Sequence, residues 1–163
     1  ETWGGSLPHN MARPLEALGD HEAGSLALVT IENFTSTCET DGRLLIVDLA
    51  DSREGQAWSS TPEDPYRLPV VSEWSPFGKP GSLPNAGCSA HYFQLRDGVL
   101  AQSYYGQGTH FIDVSDPANP EQVGYFRADG GSNWAPYWNG DVMYIADGRR
   151  GVDIVRPIIP AKG

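Results

Sequence analysis

The feature that most constrains this chain is an internal repeat. From Ser89 it reads SAHYFQLRDGVLAQSYYGQGTHFIDVSDPANPEQVGYFR, and from Asn133 it reads NWAPYWNGDVMYIADGRRGVDIVRP. In both copies an aromatic run leads to a DG or NG turn and then to a strand around Leu100 or Met143. A glycine turn follows, and then a strand carrying Ile112-Asp113-Val114 or Val152-Asp153-Ile154. Asp113 and Asp153 are 40 residues apart, close to the period of a four-stranded propeller blade. A looser third copy comes first, running from PHNM through SLALVTIEN and RLLIVDLAD, with insertions after His9 and after Asp51. In this copy His9 aligns with His91, Leu28 with Leu100, and Asp48 with Asp113. VVSEW and QVGYF supply the outer strand of the first two units.

Local signals agree with the repeat. The chain of 163 residues holds 19 Gly and 13 Pro without a G-X-Y period, so these residues mark turns between short strands. Met11–Ala23 is broken by Pro14 and Gly19 and makes at most one helical turn. The expectation is an all-β chain, 1–163, forming one propeller segment. It comprises about three four-stranded antiparallel units, near 6–84, 85–130 and 131–160. A β-sandwich of duplicated hairpins is the competing account. Complete propellers have about four to eight blades, so three would make an incomplete propeller with exposed edges and apolar faces. Another copy, another protein chain or a further segment of the same precursor is expected to complete it.

The segments LLIVDLAD, HFIDVSDPANPEQVGYF and GVDIV resemble the LVIVD repeats of exported or surface-associated bacterial β-propellers. The run AGCSAHYF…GTHFIDVSDP…GVDIVRP is similar to the last blades of those proteins. The likeness is strong from about residue 85 onward and weaker over residues 6–84. It implies the fold and an extracellular or cell-surface location in a bacterium, but no particular activity. A more distant, purely architectural likeness is to selenium-binding-protein-type propellers, some of which are copper-dependent thiol oxidases.

Charge limits the partners. Eleven Lys and Arg stand against 21 Asp and Glu, a net charge of −10, and no basic stripe is present. Such a surface repels phosphate backbones, so nucleic acid is not an expected partner. No apolar run reaches the roughly 20 residues of a transmembrane helix. Two cysteines, Cys38 and Cys88, allow one intramolecular bridge, which suits an exported chain; two free thiols would suit a cytosolic one. Their spacing is not that of a metal site.

Chemistry centres on the histidines. His9 and His91 hold equivalent repeat positions at the start of the strand nearest the propeller axis, which would point both rings to one end of it. With Glu32 they make a candidate site for a transition metal ion such as zinc or copper. The third equivalent position is Ala135, so the ring is incomplete. The alternative role for both histidines is to bond backbone carbonyls and fix a blade turn. Glu32 aligns with Tyr104 and Asp147 at the end of the second strand of each unit. The repeated Asp48, Asp113 and Asp153 read as hairpin-fixing acceptors, because a buried carboxylate is costly unless hydrogen-bonded. No nucleophile elbow or phosphate loop is present. Trp134 and Trp138, and Trp58 and Tyr66 in the long insertion, are candidate partner-binding aromatics. Two functions therefore compete: a non-catalytic binding or scaffolding segment, or a metal-dependent oxidoreductase with its histidines at the channel mouth.

Overall fold

The computed structural model describes residues 7–33, 37–49, 68–84 and 86–159. Among these there is no helix, and eleven strands form three antiparallel sheets. The first sheet is β1 (Leu7–Ala12), β2 (Leu26–Glu32), β3 (Leu44–Asp48) and β4 (Val70–Trp74), in that order. The second repeats it with β5 (Phe93–Arg96), β6 (Val99–Ser103), β7 (Thr109–Asp113) and β8 (Glu121–Phe126). The third contains β9 (Asn133–Asn139), β10 (Val142–Asp147) and β11 (Gly151–Val155), three strands where four were expected. Each sheet is a simple meander, the connectivity of a blade.

The turns are encoded locally. Arg96 pairs with Val99, so Asp97-Gly98 alone joins β5 to β6. Both turn residues have positive φ, 52° and 70°. A hairpin closed by two such residues matches strand twist best, and Asp-Gly is a preferred pair for it.

Strand alternation then stacks the sheets. Along β2 and β3, Leu26, Leu28, Leu44 and Ile46 face the second sheet, where they pack with Leu100, Ile112 and Tyr104. The intervening Ala27, Val29, Ile31, Leu45 and Val47 form a separate cluster. On the second sheet, Val99, Ala101 and Phe111 turn the other way and meet Trp138, Met143 and Ile145 of the third. A period of two residues thus gives the strands apolar residues on both faces. The aligned Leu28 and Leu100 are both fully buried, as their equivalence in the repeat requires. The outer face of the third sheet is different: Tyr137, Val152 and Ile154 are 62%, 61% and 65% exposed.

A disulfide joins Cys38 to Cys88. It ties the β2–β3 connection to the segment entering the second sheet, beside a bridge between Thr37 and Gly87. Gly42 lies so close that an added Cβ would sit 2.5 Å from the Cys88 sulfur.

Candidate metal centre

His9 sits on β1 where the register with β2 shifts between Pro8 and Asn10. This irregularity re-aims the side chain, a known use of bulges beside functional sites. Glu32 is the last residue of β2. His91 lies two residues before β5 and is held by a bond from its backbone N–H to the Ser103 carbonyl. Two sheets thus contribute three side chains at one end of their first two strands.

These three side chains converge. One ligand atom from each of His9, Glu32 and His91 can be chosen so that all lie within 4.8 Å of one another. The His9 Nε2 is 3.6 Å from one Glu32 oxygen, and the His91 Nε2 is 3.8 Å from the other. The two imidazoles are stacked, with centroids 4.3 Å apart. A tetrahedral ion with bonds of about 2.0–2.1 Å separates its ligands by about 3.3 Å. The ligand atoms stand farther apart than that and the two rings are stacked, so binding an ion would require the side chains to close and the rings to turn.

Hydrogen bonding prepares His91 as a ligand. Its Nδ1 lies 2.8 Å from the Trp134 carbonyl. A carbonyl only accepts, so Nδ1 carries the proton and Nε2 keeps its lone pair toward the cluster. This is the usual outer support of a metal-bound histidine. Burial lowers the His91 pKa, and His9 acts in the same direction, against the raising effects of the Trp134 bond and Glu32. His91 is therefore neutral at pH 7, as a ligand must be. The other His9 nitrogen, Nδ1, is buried and has no hydrogen-bond partner among the described residues.

Aromatic side chains wall the cluster. The Tyr105 hydroxyl donates a hydrogen bond to Glu32, and burial followed by that bond raises the phenol pKa. Tyr92 packs edge-on to both imidazoles, at 5.0 and 4.5 Å, and Trp134 lies 5.8 Å from His91. Tyr92 and Trp134 are about half exposed, leaving the site an open side. Tyr105 has a φ of 51°, uncommon for a bulky residue. Paired backbone bonds with Asn133, both 2.9 Å, hold it there. All three sheets therefore help to shape the centre.

The Glu32-equivalent positions do different work. Tyr104 is fully buried in the core, and its neighbour Tyr105 is the residue that reaches Glu32. Asp147 accepts bonds from the backbone of Ser132, Arg149 and Arg150 and from the Asn133 amide. Burial pushes its pKa up, but these donors outweigh it and leave the carboxyl below its ordinary value. Asp113 accepts from the Ser115 N–H, a bond within the turn after β7, and Asp153 pairs with Arg150 of the turn before β11.

Of the expected aromatics, Trp134 borders the cluster. Trp138 is instead buried between the second and third sheets with the Arg96 guanidinium 3.8 Å above its ring; it is a packing residue rather than an exposed partner-binding aromatic. Trp58 and Tyr66 lie outside the described residues. His110 is buried beside Trp74 and Tyr104, and His21 forms an isolated bridge with Leu18; neither joins the cluster.

Fold and site together define an all-β protein of blade-like sheets with a His–Glu–His cluster at one end of its first two strands. No protein-family model matches this chain, and no curated protein matches it.

Proposed function

We propose that this chain binds one divalent transition-metal ion, zinc or copper, through His9, His91 and Glu32, and presents it to an external ligand. The convergence of two imidazoles and one carboxylate, with His91 oriented by the Trp134 carbonyl, carries this reading. Two nitrogens and one oxygen suit zinc and copper better than calcium or magnesium, which prefer all-oxygen sites. Three protein ligands leave at least one coordination position open, the pattern of reactive rather than structural zinc sites. Copper there would allow electron transfer, and zinc would polarise a bound oxygen. Native mass spectrometry of protein equilibrated with Zn²⁺ or Cu²⁺ tests the reading. One ion per chain, lost in His91→Ala and His9→Ala, is the expected result; equal loading of both variants contradicts it.

A second reading rests on a separate observation, the exposed apolar face of the third sheet. In this reading the chain is a scaffolding part of a larger propeller, completed there by another copy or another chain. The LVIVD-like segments and the Cys38–Cys88 bridge favour an exported bacterial protein. Among the described residues, no helix is long and apolar enough to cross a membrane. Native mass under non-reducing conditions separates the cases. An assembly above 17.7 kDa supports completion by a partner, and a monodisperse monomer contradicts it.

A further inference from the structure

The disulfide and the His9–Glu32–His91 cluster share one seam between the first two sheets. Glu32 lies six residues before Cys38, and His91 lies three residues after Cys88. The two segments meet contact by contact. The Thr30 hydroxyl donates to the His91 carbonyl at 3.0 Å, and the Ala90 N–H donates to the Ile31 carbonyl at 3.1 Å. The Asn33 N–H then donates to the Ser89 hydroxyl at 3.0 Å. Thr37 bridges Gly87, and Cys38 is bonded to Cys88. Glu32 and His91 therefore belong to one end of a seam whose covalent link lies at the other.

The connection carrying Cys38 is itself tied to the site. It turns back through bonds from the Thr40 and Asp41 N–H groups to the Thr37 carbonyl. The Asn33 side-chain amide donates to the Asp41 carboxylate at 2.6 Å, which joins this turn to the residue next to Glu32. Hydrogen bonds of this kind are individually weak in net terms, so the covalent link does most to fix the spacing of the Glu32 and His91 backbones. Cys38 and Cys88 are 4% and 0% exposed. A reductant therefore reaches the sulfurs only when the seam opens locally.

We infer that the Cys38–Cys88 bridge is a redox control on the metal centre: the oxidised chain holds the ion tightly, and reduction weakens its grip. The inference rests on the metal reading above and adds the regulation of that site. The side chains of His9, Glu32 and His91 have to close around an ion, and closing loses least entropy when their backbones are already held in place. Reduction breaks the S–S bond, adds two electrons and two protons, and leaves two thiols; a dithiol donor ends as its own disulfide. Linkage makes the effect reciprocal. An ion that binds the closed seam better than the open one also holds the seam shut.

Two measurements test it. The first needs no variant: the rate at which tris(2-carboxyethyl)phosphine reduces the bridge, followed as a gain of about two mass units. With Zn²⁺ at about ten times its dissociation constant, reduction is expected to be about tenfold slower, the factor by which binding depletes the open state. In His91→Ala the same zinc is expected to leave the rate unchanged. The second is calorimetry of Cys38→Ser/Cys88→Ser, which has no thiols to compete for the ion. Its zinc affinity is expected to be about tenfold weaker, within the roughly 5–150-fold range of coupled sites, with an unchanged circular dichroism spectrum. A reduction rate indifferent to zinc, or a folded double variant that binds zinc as tightly as the oxidised protein, overturns the inference and leaves the metal reading standing. Equal slowing by zinc in His91→Ala, or no zinc binding by the oxidised unmodified protein, overturns both.

Discussion

At the scale of single residues, the account turns on what each side chain around Glu32 does. Tyr105 donates to one carboxylate oxygen, which orients the group and leaves the other oxygen toward His9. Loss of such outer support typically weakens metal affinity by about 10–100-fold. Tyr105→Phe is therefore expected to bind Zn²⁺ about tenfold or more weakly in calorimetry, with an unchanged circular dichroism spectrum. A second residue-level prediction concerns His110, buried and bonded to Gln122 and Gln107. Burial, outweighing those bonds, holds its pKa below the usual 6.5. The unfolded chain then takes up the proton first, so this contribution to stability is fully present above pH 6.5. It declines as pH falls through that value toward the lower folded one. Urea midpoints are expected to fall between about pH 7.5 and 5.5, and less steeply in His110→Gln; His91, lowered as well, accounts for part of the remainder. The pairing of His9, His91 and Glu32 was legible because the repeat aligns the two histidines, and equivalent positions of two stacked sheets lie side by side. The role of Tyr105 was not, since alignment sets Tyr104 against Glu32. Only the tight turn at Gly106-Gln107-Gly108 and the positive φ of Tyr105 put the second tyrosine there instead.

At the scale of elements, strand positions were readable because alternation and turn residues act over a few residues. VVSEW forms the strand Val70–Trp74, the strand Gly151–Val155 carries Val152-Asp153-Ile154 as expected, and the Asp97-Gly98 hairpin follows from its own dipeptide. Two features depend on distant packing instead. The irregularity at His9 exists only in its pairing with β2. Trp138 reads in the sequence as a partner-binding aromatic, yet its position on β9 turns it inward against Phe111, Met143 and Ile145. The Cys38–Cys88 bridge belongs at this scale, since it closes a 50-residue separation and ties the first sheet to the second. Its removal is expected to cost about 2–5 kcal/mol. Chemical denaturation of oxidised protein and of Cys38→Ser/Cys88→Ser measures this; matching midpoints would show that the bridge adds nothing to the interface between those sheets.

For the whole molecule, three stacked sheets use the same rule at each interface: alternate residues point to opposite faces and bury against the neighbouring sheet. The rule stops at the third sheet, where Tyr137, Val152 and Ile154 stand in the open. A face of this kind is where a propeller would continue, and exposed apolar patches mark association sites. Ile154→Glu is expected to shift sedimentation toward the monomer while changing folding stability by no more than about 0.5 kcal/mol, as for other exposed substitutions. Unchanged sedimentation of a self-associating protein would remove this face as the contact. The proposed metal centre is the point where this stacking would acquire chemistry, because the first two sheets supply His9, Glu32 and His91 and the third supplies the carbonyl that bonds His91. X-ray absorption of zinc-loaded protein tests that claim most directly. The account predicts a low-coordinate shell of nitrogen and oxygen at about 2.0–2.1 Å, with the scattering of two imidazoles that falls to one in His9→Ala. A shell without imidazole scattering, or one unchanged in His9→Ala, would contradict it.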